Sequence, residues 1–337
     1  MFVNSASGAR FVITGGAGFV GSHLAETLVA RGHRVLAVDD LSAGDRANLA
    51  TVSGHPRFSV RVGDVTRPGV LDQLCYGADV IVHLAAAVGV RRIVDQPKQT
   101  IRTNLDATER ALDAAERHHA RILIASSSEV YGKSEATPFR EQDDVLLGPT
   151  NKSRWSYAAS KMIGEFLAMA YPRESGVDAV SMRFFNTIGP HQSARYGMVV
   201  PRFVRQALAG DPITVYGDGS QTRCFCDVRD VVKAIALLGE SPAGSGEVVN
   251  IGAHGEITIL ELAKMIRRIT GSASEIVCVP YDRAYEPGFE DIMRRAPDTS
   301  KLERMIPWRP RYTLEDTLEA IIAHECVPAA QAAIAGD

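Results

Sequence analysis

Apolar residues come in short runs along the first half of the chain, each separated from the next by a stretch with helical spacing. "RFVITGG" (10–16) leads into a helical pattern near 18–31, and "HRVLAVDD" (33–40) follows. "RFSVRVGDV" (57–65), "ADVIVHLAA" (78–86) and "ARILIASSS" (120–128) are further strands, and the clearest helical stretch between strands is at 98–118. A helix at 156–171 and the strand "VDAVSMRFFN" (177–186) close the series. Short, continuously apolar strands alternating with helices predict an α/β fold, a parallel sheet covered on both faces.

Beyond residue 186 the pattern loosens. Pro and Gly recur ("IGPHQ", "AGDPITVYGDGSQ"), and the helices are shorter and less regularly interleaved. "VVNIGA" (248–253) reads as one more strand of the same sheet. The expected organisation is a sheet domain over 1–186 with return segments near 227–254. A smaller α/β lobe would be built from 187–226 and 255–337.

Composition narrows the function classes. The 337 residues are 45% hydrophobic and 23% charged, ordinary for a globular protein, with a formal charge of -3. That balance gives no reason to expect nucleic acid or an acidic membrane as partner. The basic cluster Arg117-His118-His119-Arg121 reads as a solvated helix end, where positive charge suits the dipole. Five cysteines are too few for a disulfide framework, and Cys224-Phe225-Cys226 lacks the second pair or histidine of a zinc site, so no metal is expected. The start "MFVNSASGAR" lacks the features of a signal peptide, and its first nine residues read as a loose tail. With no apolar run long enough to span a membrane, a cytoplasmic protein is expected.

The first strand runs into "TGGAGFVGSHL", which places Gly15, Gly18 and Gly21 at the turn and the start of the helix. Gly15 suits the tight turn, Gly18 lets backbone approach a pyrophosphate, and Gly21 lets the helix pack on the strand. The free N–H groups around Phe19 and Val20 would then face phosphate oxygens. Asp39 ends the second strand, 18 residues after Gly21, where a carboxylate can accept from the adenosine ribose hydroxyls. No arginine follows at once to receive a 2′-phosphate, so NAD is expected rather than NADP. Asp64 and Val65, ending the third strand, are expected adenine contacts. The fold expected is thus a Rossmann-type doubly wound sheet.

Two later stretches carry candidate chemistry. "YAASK" sets Tyr157 and Lys161 four residues apart, on one face of a helix. The Lys161 charge, together with an oxidised nicotinamide, is expected to lower the phenol from about 10 towards neutrality and make it a base. Ser127, at the end of the strand that spills into "SSSEVYG" (126–132), can orient the proton on a substrate alcohol. The alternative is a packed aromatic beside a solvated lysine. In the same stretch Glu129 stands at a strand end, where a carboxylate is unusual.

These motifs together resemble the extended short-chain dehydrogenase/reductases that act on nucleotide sugars. The marks are "GGAGFVGSHL", "HLAA" (83–86), "SSSEVYG", "YAASK", "RFFNTIGP" (183–190) and "VYGDGSQTR" (215–223). The resemblance implies cofactor contacts at Leu84, Ala85, Ala86 and Asn104, besides Tyr157 and Lys161. It implies that Asn186 and Arg223 meet the nucleotide diphosphate, and that Val199 to Phe203, with Arg202, lie by the base. Asn186 as a turn residue and Arg223 as a surface ion pair are the structural alternatives. Many relatives carry arginine after "GP", where this chain has His191. A homodimer through the helices at 98–118 and 156–171 is also implied, and Ile163, Phe166, Leu167 and Met169 suit it, or packing on their own sheet.

Within that family the residues around Ser127 separate reactions. The 4,6-dehydratases carry Asp-Glu there and many 4-epimerases lack the glutamate, whereas Ser128-Glu129 resembles the UDP-glucuronate decarboxylases, as does "QTIRTN" (99–104). "GPTNKSRWSYAASK" (148–161), "RCFCDVRD" (223–230) and "YEPGFEDIMRRAPD" (285–298) resemble the decarboxylase domain of the bacterial aminoarabinose lipid A pathway. By that resemblance Arg295 is the catalytic arginine, and Phe289 replaces a substrate-contacting tyrosine. Independently, a substrate carboxylate needs a cation, which an arginine supplies. A surface salt bridge of Arg294 or Arg295 with Glu290 or Asp291 is the alternative.

Glu129 is expected to handle a proton or orient a hydroxyl near C5, with its carboxyl raised by the negative substrate. Bonding to loop backbone is its structural alternative. The leading expectation is NAD-dependent decarboxylation of UDP-glucuronic acid through a 4-keto intermediate, giving UDP-4-keto-pentose, UDP-xylose or both. A nucleotide-sugar 4-epimerase is the alternative, and a non-catalytic NAD-sensing regulator the reading from another class.

Overall fold

The computed structural model describes residues 8–89, 95–194, 198–284 and 292–334, with only the backbone at 284 and 327–334. A seven-stranded, all-parallel sheet forms its centre. In chain order its strands are β1 (Arg10–Thr14), β2 (Arg34–Asp39), β3 (Phe58–Val62), β4 (Val80–His83), β5 (Arg121–Ser127) and β6 (Ala179–Phe184), then Glu247–Ile251. Across the sheet the order is Glu247–Ile251, β6, β5, β4, β1, β2, β3. The order reverses between β1 and β4, so the loops after these two strands diverge and open a crevice at their carboxyl ends.

Alternation along each strand feeds two cores. On β1, Phe11 and Ile13 point into a cluster with Leu24 and Leu28 of helix α1 (Phe19–Ala30) and Val231 and Ile235 of helix Val228–Glu240. Val12 points the other way, into a cluster with Ala111 and Leu112 of helix Pro97–His118 and Ala168 of helix Arg154–Glu174. β3, at one edge of the sheet, differs from the expectation of a doubly covered strand: its residues are half-buried or exposed.

The chain returns to the sheet with helix Val228–Glu240 and strand Glu247–Ile251. A separate core lies elsewhere, around Phe203, Ile213, Val215, Leu262, Ile266 and Leu318. In this second region Thr222–Cys224 is flanked by Glu256–Thr258 and by Arg294–Arg295, the latter in register Arg295 to Arg223. Of the basic cluster, Arg117 and His118 both meet Asp72, at 2.8 and 3.0 Å, while Arg121 is buried in β5 and pairs with Asp178. Among the described residues no helix is long and apolar enough to cross a membrane, and no group of side chains could hold a metal ion.

Candidate active site

The crevice is a cleft of about 490 Å³ running from Asp39 and Asp64 to Tyr157 and Lys161. Its floor is the glycine turn. Gly15 has φ +70°, and a Cβ there would lie 2.9 Å from the Ala85 nitrogen; at Gly21 it would lie 2.2 Å from the Gly15 carbonyl oxygen. Side chains at these positions would push α1 off β1 and close the turn. Gly18, Phe19 and Val20 line the cleft at the start of α1. This glycine cradle at a helix N-terminus fits a dinucleotide pyrophosphate.

Of the other expected cofactor residues, Val65, Leu84, Ala85 and Ala86 also line the cleft. Asp39 is buried and accepts from the N–H groups of Ala17 (3.0 Å) and Leu41 (2.8 Å). Burial pushes its carboxyl up, and those N–H groups pull it back part of the way. Asp64 binds the hydroxyl and N–H of Thr66 at 2.6 and 2.9 Å, and the hydroxyl bond is the main cause of its lowered carboxyl. Asn104 is not brought to the cleft. It is buried behind the loop, where Oδ1 accepts from Ala87 N–H at 2.8 Å and Nδ2 donates to the Ser160 hydroxyl at 3.1 Å.

His191, in the place of the expected arginine, lines the cleft beside α1. Its Nδ1 lies 3.2 Å from the Ser22 hydroxyl and its ring stacks on His23. Burial, with His23 and His324 nearby, lowers it to about 4, so it is neutral near pH 7.

At the other end, helix Arg154–Glu174 carries Tyr157 and Lys161 on one face. Lys161 is buried, and its Nζ donates to the Ala125 carbonyl at 2.8 Å, which ties it to the end of β5. Burial lowers Lys161 to about 8 against the pull of Glu165. The Tyr157 phenol is held above its ordinary range, first by burial and then by Glu129; a Ser127 hydrogen bond and Arg295 oppose this without reversing it. The chain's own charges therefore do not produce the lowered phenol expected from Lys161, and a positive nicotinamide would have to supply that shift.

β5 ends at Ser127, whose Oγ accepts from Glu129 N–H at 3.2 Å and caps a single turn of 3₁₀ helix, Ser128–Tyr131. That turn aims Glu129 at two guanidinium groups. Arg154 Nη2 meets Oε2 at 3.0 Å, and Arg295 Nη2 meets Oε1 at 2.7 Å. Burial alone would raise the Glu129 carboxyl, but Arg154 and Arg295, with Arg223 further off, outweigh it and hold it at about 2. The chain's own cations, brought by three segments, hold Glu129 as an anion, whereas the expected rise is tied to a bound negative substrate. Two buried polar atoms here, Ser128 Oγ and Arg295 Nε, have no partner among the described residues.

Arg154 escaped the sequence reading, although it stands three residues before Tyr157, at a spacing that shares one helix face. Arg294 and Arg295 point oppositely, as neighbours on a strand do. Arg294 is exposed and pairs with Glu256 at 2.6 Å, while Arg295 is buried. Glu290, Asp291 and Phe289 lie outside the described residues. Arg223 is buried beside Arg295, with Nη1 donating to the Thr222 carbonyl at 2.8 Å. Asn186 has φ +33° and donates Nδ2 to the Cys224 carbonyl at 2.9 Å. Val199 begins helix Val199–Ala209 and packs on the second core. From that helix the Arg202 guanidinium lies 3.8 Å from the Tyr216 ring centre and donates to the Thr214 carbonyl at 3.1 Å.

The sequence model of the NAD dependent epimerase/dehydratase family matches residues 11–252. A UDP-N-acetyl-alpha-D-glucosaminuronate decarboxylase from Bacillus cytotoxicus is 42% identical over 316 residues, 93% of this chain and 96% of that protein. UDP-glucuronic acid decarboxylase 1 from Danio rerio is 36% identical over 96% of this chain and 74% of its own length. Among solved structures, the dTDP-glucose 4,6-dehydratase DesIV from Streptomyces venezuelae, crystallised with NAD, superposes with TM-score 0.85 at 31% identity. That match covers 96% of this chain and 98% of DesIV.

Proposed function

The chain belongs to the NAD dependent epimerase/dehydratase family, and on that premise we propose that it is an NAD-using decarboxylase of UDP-glucuronic acid or a close UDP-hexuronate. The observation that carries this reading is the pair Arg154 and Arg295 around Glu129, next to Tyr157. Arg295, buried beside that carboxylate, has an Nε with no acceptor among the described residues. A substrate carboxylate would answer that need.

Tyr157 would take the C4 hydroxyl proton, with Ser127 orienting that hydroxyl and Lys161 holding positive charge close by. NAD, when bound, would accept the C4 hydride and return it if the product is reduced. Gly15, Gly18, Phe19, Val20 and Asp39 would hold it, with Asp64, Val65 and Leu84 to Ala86 along the same cleft. The 4-keto group makes the neighbouring carboxylate a β-keto acid. Its C5–C6 bond then breaks, carbon dioxide leaves, and the electron pair passes to an enolate that the Arg295 charge stabilises. A proton reaching C5 gives the 4-keto pentose. Glu129 enters this sequence as an anion, so it serves first to hold Arg154 and Arg295 in place. Arg223 and Asn186 would meet the diphosphate, and Arg202 and Val199 the base.

Incubation with NAD and UDP-glucuronate, followed by mass spectrometry of the nucleotide sugar, tests the reading: loss of carbon dioxide supports it. The 42% identity to a 2-acetamido hexuronate decarboxylase favours a second reading of the substrate, so the 2-acetamido analogue belongs in the same assay. An unchanged mass with inverted C4 would instead give the 4-epimerase. No reaction with any UDP-sugar, but NAD binding, would give the regulator.

The proposal extends to a cytoplasmic homodimer. Ile163 and Phe166 are 42% and 68% exposed on helix Arg154–Glu174, whereas Leu167 and Met169 pack onto the sheet. Cys75, Cys224 and Cys226 are buried free thiols, in keeping with a reducing compartment. Sedimentation of Phe166→Glu against the parent tests the dimer: the variant is expected to be monomeric.

A further inference from the structure

A chain of buried polar contacts runs beneath the site. Arg183 of β6 donates Nε and Nη2 to the two oxygens of Glu165 at 2.9 and 2.7 Å, and Glu165 also accepts from the Ser126 hydroxyl. The same guanidinium lies over the Tyr131 ring, 4.6 Å from its centre. The Tyr131 hydroxyl donates to Asn250 Oδ1 at 2.8 Å, and Asn250 Nδ2 donates to the carbonyls of Phe139 (2.9 Å) and Asp298 (3.1 Å). Tyr131, Glu165, Arg183 and Asn250 are all buried.

Where the chain ends matters more than that it is satisfied. One end reaches Glu165, four residues after Lys161 on the same helix face, and Ser126, next to Ser127. The other reaches the segment that follows Arg295. Phe139 N–H donates to the Ala296 carbonyl at 2.8 Å, and Asp298 N–H donates to the Phe139 carbonyl at 2.9 Å. The Phe139 carbonyl therefore receives both Asp298 N–H and the Asn250 amide, so one side chain ties the Phe139 segment to the segment that follows Arg295. On its other side Arg295 is held by its register with Arg223.

We propose that Tyr131 and Asn250 are positioning residues for Arg295: by clamping the Phe139 and Asp298 carbonyls they keep its guanidinium against Glu129, without touching substrate. The inference rests on the decarboxylase reading for its effect on rate, but its structural half stands apart from it. The geometry implies that oxidation at C4, which uses Tyr157, Lys161 and Ser127, is less sensitive to this clamp than loss of the carboxyl group.

Tyr131→Phe removes only the hydroxyl and leaves a buried Asn250 acceptor unsatisfied. In single-turnover mixing with UDP-glucuronate and NAD, reduced-nicotinamide absorbance should rise within about twofold of the parent rate while carbon dioxide release slows about tenfold or more. Equal slowing of both, or of neither, would overturn the proposal, because a general loss of stability moves them together. Hydrogen exchange supplies a readout independent of the reaction. The amides of Ala296, Asp298 and Thr299 should exchange faster in the variant, with those of β5 unchanged. If the parent releases no carbon dioxide, the decarboxylase reading fails while exchange still decides the clamp. Unchanged exchange at Ala296, Asp298 and Thr299 refutes the clamp whatever the reaction. Asn250→Ser, which loses both carbonyl contacts but leaves the Tyr131 ring in place, is the second variant should Tyr131→Phe fail to fold, with the same outcomes expected.

Discussion

The glycine turn and the Glu129 corner stand at opposite ends of the site and are assembled differently. The turn comes from one stretch, residues 14–22, and its geometry follows from glycines at the junction of a strand and a helix, with Gly21 in the helix's first turn. The corner draws Glu129 from the end of β5, Arg154 from the first turn of the Tyr157 helix, and Arg295 from a two-residue strand paired beside Arg223. A site of the first kind works through backbone N–H groups and open space. The second kind works through net charge in a buried place, so its properties depend on which cations arrive from elsewhere.

Tyr157 stands where the two meet, so its loss should have the largest effect. Tyr157→Phe is expected to lower single-turnover oxidation by about 10²–10⁴-fold, the range for losing a positioned acid–base group, with NAD affinity by calorimetry unchanged. A variant that oxidises substrate at the parent rate would separate the phenol from the chemistry.

Glu129→Gln tests the corner alone. Removing one charge from a buried, paired cluster should destabilise the fold by about 3 kcal/mol near pH 7, read by denaturant melts. The sign with pH follows from the carboxyl lying at about 2 in the folded protein against 4.5 ordinarily. The stabilisation is complete above the unfolded value of 4.5 and is lost as pH falls towards 2, on the order of 3 kcal/mol in all. The gap between parent and variant should therefore shrink between pH 5 and pH 3 (about one unit either side of the carboxylate range). A gap that stays constant would mean that Glu129 is not held as an anion.

Gly21→Ala tests the turn alone. The added Cβ would meet the Gly15 carbonyl oxygen at 2.2 Å. Relief of that contact should cost about 2 kcal/mol and weaken NAD binding roughly 30-fold. The pH dependence of stability between pH 5 and pH 3 should stay as in the parent, since no charge of the corner is touched (about the same carboxylate range). Smallest of all, Arg294→Ala should leave both turnover and melting temperature as they are, because its partner Glu256 is at the surface; Arg295→Ala, one residue on, should lose decarboxylation.

The same contrast explains what could be read from the chain. The strands of the sheet, the turn at Gly15, Gly18 and Gly21, and the spacing of Tyr157 and Lys161 are local patterns, and the structure forms each close to where periodicity puts it. Strand ends were less legible: β4 stops at His83, and Leu84 to Ala86 continue as a loop lining the cleft. Asn104 sits within a motif but turns its amide to Ala87 and Ser160, a choice set by burial that no spacing reveals. The direction of the Glu129 shift was illegible because it is a sum over Arg154, Arg295 and Arg223, whose convergence is a property of the fold. Arg154 itself was within reach at i, i+3 from Tyr157, the one signal that could have found it.

The most direct test of the account uses UDP-glucuronate, and its 2-acetamido analogue, labelled with carbon-13 at the carboxyl carbon. The labelled substrate is incubated with protein and NAD and followed by carbon-13 NMR. The account predicts that the label leaves the sugar as carbon dioxide and bicarbonate for at least one of the two, and that Arg295→Ala abolishes its departure while the fold remains intact. Label retained in a sugar whose C4 has inverted would contradict it, and would leave the arginine corner as a carboxylate-binding site in an epimerase.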